Sequence, residues 1–131
     1  MKLGRAALGA PLVLAFSGSA MVPAHAAAPP SVAAASDFQY VTGGAGSPVP
    51  LRVMAGGSLV FVNGDALAPH TLTARLPGDH DGSRFTTGAT EVQFGEARPV
   101  AGVEDLAPGT YEFFCQLHSW FMTGELQVVA P

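Results

Sequence analysis

The sequence has a single cysteine, Cys115, a single tryptophan, Trp120, and six basic residues against ten acidic ones. Its only lysine is Lys2. Each scarcity removes a class of protein. One cysteine cannot form an internal disulfide framework. A chain so short of positive charge is a poor partner for nucleic acid or for an anionic membrane, which both attract cations. Long apolar runs are also missing: the stretch from Ala6 to Phe16 falls short of the roughly 20 residues that a spanning helix needs, and Gly9 and Pro11 interrupt it.

What the N-terminus does contain is the layout of a cleaved signal peptide. Lys2 and Arg5 precede the apolar run, and small residues follow up to Ala24-His25-Ala26. Cleavage is expected after Ala26, so residues 1–26, His25 included, leave. No Arg-Arg pair and no cysteine near the cut suggest a twin-arginine or lipoprotein signal. The mature chain is expected outside the cytoplasm, periplasmic or secreted, with no membrane insertion. It keeps Arg52, Arg75, Arg84 and Arg98 against ten acidic groups, a net charge of −6. That charge suits a basic protein partner, and solubility explains it equally well.

Residues 27–35 are small and proline-containing and read as a flexible tail. The remainder, 36–131, is enough for one domain. Its texture is short runs rich in Val, Phe, Leu, Thr and Tyr, bounded by glycine, proline or aspartate. These predict strands at Phe38–Thr42, Leu51–Ala55, Ser58–Asn63, His70–Leu76, Val92–Phe94, Val100–Leu106, Thr110–Cys115 and Glu125–Val129. Gly43-Gly44, Gly56-Gly57, Gly64-Asp65, Pro77-Gly78 and Pro108-Gly109 are the breakers. No long helix fits. The expected fold is all-β, an eight-stranded antiparallel sandwich or barrel closed by Greek-key links. Alternation along Thr110–Cys115 puts Tyr111, Phe113 and Cys115 on one face.

A lone cysteine in an exported protein is either an inert buried thiol or a group in use. Its neighbourhood favours use. Cys115, His118 and Met122 lie within eight residues on the loop between the last two strands, so one turn supplies a thiolate, an imidazole and a thioether. His70 is the candidate fourth ligand, delivered at a strand start by the loop Asn63-Gly64-Asp65-Ala66-Leu67-Ala68-Pro69. Two imidazoles and a thiolate in a plane with a weak axial thioether form the copper pattern. Zinc would usually take thiolate, imidazole or carboxylate in place of methionine. Coordination would also occupy and shield the odd cysteine.

Pro69-His70 and the Cys115-x2-His118-x3-Met122 loop resemble the blue-copper cupredoxins, a family that includes plastocyanin, amicyanin, pseudoazurin and azurin. The resemblance spans essentially the whole mature domain. It implies an eight-stranded Greek-key sandwich with one copper near one end, cycling between Cu(I) and Cu(II), held by His70, Cys115, His118 and Met122. The implied function is one-electron transfer between redox proteins by a monomeric carrier that is not an enzyme, with storage or delivery of copper as the alternative. The two-residue gap from Cys115 to His118 is similar to plastocyanin and amicyanin, and the three-residue gap to Met122 is similar to azurin. Thr71 stands where many relatives carry asparagine; its hydroxyl can link the ligand loops and its N–H can reach the Cys115 sulfur. Asn63 and Phe114 complete the expected surround of the ligands, Phe114 standing where plastocyanins carry an outward-facing tyrosine. Trp120 and Phe121 are the candidates for an apolar docking patch around the His118 edge, or else they pack beneath the loop.

Two other readings stay open. His80 between Asp79 and Asp81 is either a second metal site or a solvated turn, and the turn is the simpler reading. If Met122 did not ligate, an open position would permit a mononuclear copper catalyst; four protein ligands leave none.

Overall fold

The computed structural model describes residues 28–75 and 84–131. The expected signal peptide, the first residue of the expected tail, and Leu76 to Ser83 with His80 lie outside the described residues. Eight strands are described: β1 Ser31–Ser36, β2 Gln39–Tyr40, β3 Leu51–Met54, β4 Leu59–Asn63, β5 Thr73–Ala74, β6 Ala97–Pro99, β7 Gly109–Phe114 and β8 Thr123–Val129. They form two four-stranded sheets, ordered β2-β1-β4-β6 and β3-β8-β7-β5. Among the described residues no helix is long and apolar enough to cross a membrane.

The sandwich is mixed rather than purely antiparallel. β1 runs parallel to β4, with Ser31 opposite Leu59 and Ala35 opposite Asn63, and β3 runs parallel to β8. The remaining pairs are antiparallel. Parallel neighbours need crossover connections, which is how short strands from both ends of the chain close one sandwich. Alternation sets the core, with Leu51 and Val53, Leu59 and Phe61, and Leu126 and Val128 pointing inward from their strands. Phe85, Leu72, Val92 and Phe113 fill the space between the sheets.

Three expectations need correction. Residues 31–35, expected in a flexible tail, form most of β1, an interior strand whose Ala33 and Ala35 are fully buried. Small side chains suffice there because β1 is hydrogen-bonded on both sides and its inner face lies close to the core. Val92–Phe94 and Val100–Leu106 are not strands. Val92 makes only an isolated bridge to His70, the edge strand is Ala97–Pro99, and Gly102 at φ 94° turns the chain into a 3-10 turn at Val103–Asp105. Proline is tolerated in β6 because it lies at the sheet edge. His70–Leu76 shortens to Thr73–Ala74, with Leu76 beyond the described residues.

Candidate metal centre

Two loops at one end of the sandwich carry the predicted ligands. The first begins at Asn63, the last residue of β4, whose side chain is buried. Its amide donates to the carbonyls of Ala68 at 3.0 Å and Val92 at 2.9 Å, and its oxygen accepts from Asp65 N–H at 2.8 Å. Asp65 in turn accepts from Leu67 N–H at 2.8 Å. A loop braced from inside in this way delivers His70 in one position. There His70 exchanges two backbone hydrogen bonds with Val92, at 3.1 and 2.8 Å.

The second loop joins β7 to β8 and closes on itself. Cys115 N–H donates to the Met122 carbonyl at 3.0 Å, His118 N–H to the Cys115 carbonyl at 3.2 Å, and Met122 N–H to the His118 carbonyl at 3.0 Å. Arg75 straps it from outside. Its guanidinium donates to the Ser119 carbonyl at 2.7 Å and lies 4.7 Å from the centroid of the Phe114 ring. Thr71 ties the two loops together: Gln116 N–H donates to its hydroxyl at 2.9 Å, and Thr71 N–H points at the Cys115 sulfur at 3.4 Å.

The loops bring three donor atoms face to face. His70 Nδ1 and His118 Nδ1 are 3.2 Å apart, and the Cys115 Sγ is 3.8 Å from the first and 3.5 Å from the second. A point equidistant from a triangle with these sides lies about 2.0 Å from each atom, the length of a metal–imidazole bond and slightly under a metal–thiolate one. Among the described residues, His70, Cys115 and His118 are the group of His, Cys, Asp and Glu side chains able to hold a metal ion. Cys115 and His70 are fully buried and His118 partly so. Met122, on the same loop, is also buried.

The electrostatics around these atoms suit metal donors. The far ring nitrogen of His70, Nε2, lies 2.7 Å from the Asp65 carboxylate. A carboxylate there fixes the proton on Nε2 and leaves Nδ1 as a lone pair aimed at the centre of the triangle. The bond from His70, with backbone donors Phe38 and Leu67, holds Asp65 at a pKa of about 2 against the opposing effect of burial. Burial, and then the neighbouring His70, push the His118 imidazole below its ordinary range, toward the neutral form that a ligand requires. Tyr40 stands behind the site and donates its hydroxyl to the Thr71 carbonyl. Burial, with the charge of Cys115 second, raises its pKa well above the ordinary value.

Two residues at the site were not expected from the sequence. Asp65 reads there as part of a turn, because Asn63-Gly64-Asp65 is turn chemistry whether or not the carboxylate is buried. Phe38 reads as a strand residue, yet its ring meets both His70 and His118 edge to face, at centroid distances of 5.8 and 5.1 Å. Trp120 and Phe121 do not pack beneath the loop. Trp120 is 94% exposed and Phe121 59%, the latter tilted against the His118 ring at 5.8 Å. Leu67 and Leu117 are exposed on the same two loops.

No protein-family model matches the chain, and no curated protein does. Solved structures do match. The reduced form of one amicyanin mutant is 19% identical, with 80% of this chain and 87% of that chain covered and a TM-score of 0.56. The Cu(I) form of another is 20% identical over the same shares, also with a TM-score of 0.56. A third, the oxidised state of a further mutant, is 20% identical over 76% of this chain and 82% of that chain, with a TM-score of 0.55. The chain therefore has the cupredoxin fold, an all-β sandwich, as its sequence led one to expect.

Proposed function

We propose that this protein is an exported blue-copper protein that binds one copper ion through His70, Cys115, His118 and Met122 and carries single electrons between redox partners. The observation that carries the reading is the donor triangle: two imidazole nitrogens and the Cys115 sulfur surround one point about 2.0 Å from each of them. Thiolate and imidazole donors suit copper, and a buried methionine on the same loop is the weak axial partner that copper accepts and zinc seldom takes. Amicyanin, whose fold this chain shares, is recorded in a Cu(I) form, which agrees with that choice.

The chain's own residues suit a carrier rather than an enzyme. Asp65 keeps the His70 lone pair directed inward, and Thr71 N–H points at the thiolate, so the donor set is arranged in advance for both oxidation states. The His118 ring is partly exposed, and Leu67, Leu117, Trp120 and Phe121 lie exposed on the two loops around it, an apolar face on which a redox protein can dock. Export by way of the N-terminal segment 1–26 places the carrier outside the cytoplasm.

Redox cycling tests this function. The copper-loaded protein should accept and return one electron per chain reversibly and exchange electrons rapidly with itself. A protein that binds copper tightly but cycles slowly or irreversibly would instead be one that stores or delivers the metal.

A further inference from the structure

The turn between β1 and β2 is built in a way that its sequence does not favour. Two residues connect Ser36 to its cross-strand partner Gln39, and both are in the left-handed region, Asp37 at φ 49° and Phe38 at φ 59°. Positive φ at both central positions is the signature of a type I′ turn, which normally takes Asn-Gly or Asp-Gly. Glycine would occupy the second position without steric cost, whereas a bulky side chain there is a backbone outlier. As a mere link between two strands, Asp37-Phe38 is a poor choice.

The side chain supplies the reason. From this position the half-buried Phe38 ring stands nearly perpendicular to both histidine rings, at 84° to His70 and 89° to His118. Its backbone N–H donates to Asp65 Oδ2 at 2.8 Å, the same oxygen that holds His70 Nε2. The turn is thereby fixed to the first ligand loop, and its ring reaches across to the second. The histidine rings themselves lie 5.0 Å apart, so a closed circuit of contacts runs from Phe38 through Asp65, His70 and His118 back to Phe38.

We propose that the Asp37-Phe38 turn is a strained arm of the metal centre, and that Phe38 is a positioning residue clamping the His70 and His118 rings. Backbone strain of this kind persists where surrounding contacts over-determine it, and it concentrates at functional sites. The ring the clamp serves most is His118, which is partly exposed and, among the described residues, has no carboxylate brace like the one on His70. Holding that ring keeps Nδ1 in place when the charge at the centre changes. The purpose of the clamp rests on the copper reading above, but its existence does not.

Three substitutions separate the parts. Phe38→Ala removes the ring and keeps the strain, Phe38→Gly removes both, and Phe38→Tyr keeps both. In metal-free protein, Phe38→Gly should melt about 4–8 °C above Phe38→Ala, the reverse of the order at an unstrained position. The His118 ring protons should lose the Phe38 share of their ring-current shift in the Ala and Gly variants, keeping that of Phe121, and retain both in Phe38→Tyr. Copper-loaded Ala and Gly variants should release metal to a chelator about two- to tenfold faster than wild type, and the Tyr variant at the wild-type rate. Phe38→Gly melting at or below Phe38→Ala would overturn the strain. His118 resonances and release rates indifferent to the ring would overturn the clamp. A wild-type protein that takes up no copper would sink the copper reading alone, because melting and resonances are measured without metal.

Discussion

Removing the Asp65 carboxylate should weaken metal binding through the tautomer of His70, and the size of the loss should depend on what replaces it. Asp65 accepts three hydrogen bonds: Phe38 N–H and His70 Nε2–H on Oδ2, and Leu67 N–H on Oδ1. Asp65→Ala deletes all three. The His70 proton is then free to move to Nδ1, where it blocks the lone pair that faces Cys115 and His118. Loss of such an outer partner typically costs about 10–100-fold in metal affinity. Asp65→Asn behaves differently. Its amide oxygen can stay on His70 and Phe38, and only its NH2 faces a wrong partner, the Leu67 N–H, so the loss should be several times smaller. Competition with a chelator of known copper affinity measures both variants, and nitrogen chemical shifts of metal-free protein report the His70 tautomer directly. Wild-type His70 should carry its proton on Nε2. Finding the proton on Nδ1 in wild type, or an unchanged affinity in Asp65→Ala, would refute this account of the carboxylate.

Other perturbations have equally definite outcomes. A Cβ at Gly124 would lie 2.5 Å from the Gly43 carbonyl oxygen and 2.5 Å from the Phe113 ring, so Gly124→Ala should cost about 1–3 kcal/mol, read from chemical unfolding. An unchanged midpoint would mean that β8 has room to move away from Gly43. Asp65 also predicts an acid limb: its carboxyl is held at about 2 in the folded protein against an ordinary 3.8, so its contribution is present above that range and is lost as pH falls toward 2. The melting-temperature gap between wild type and Asp65→Ala, in metal-free protein, should therefore narrow from pH 5 to about pH 2; a gap constant with pH would contradict it. Met122→Leu should retain copper and raise the reduction potential, and an unchanged potential and spectrum would remove Met122 from the ligand set.

The candidate ligands could be read from the sequence because their signal is local. Cys115, His118 and Met122 share one short loop, and Pro69-His70 stands at the end of another, so donor type and spacing sufficed without knowledge of the sheets. The supporting residues were not legible because their roles depend on contacts distant in sequence. Asp65 differs from an ordinary turn aspartate in being buried against His70 Nε2 and in accepting the Phe38 N–H, which β1 and β2 bring to it from 27 residues away. Phe38 was hidden for a related reason: a type I′ turn is recognised in sequence by glycine at its second central position, and this one has phenylalanine there. The strand β1 was obscured by its alanines, whose small apolar surface resembles that of a linker. Its evidence is the pairing Ser31 to Ala35 with Leu59 to Asn63, a parallel register that no short-range pattern announces. In the same way Val92 reads as the start of a strand, and it instead forms an isolated bridge that holds His70 by two backbone bonds.

The central claim is a thiolate-bound copper, and the visible absorption spectrum of the protein loaded with one equivalent of Cu(II), beside that of Cys115→Ser, tests it most directly. The account predicts an intense blue thiolate-to-copper band in wild type that saturates at one copper per chain, vanishes on reduction and is missing in Cys115→Ser. A colourless loaded wild type, or a band that survives in Cys115→Ser, would contradict it.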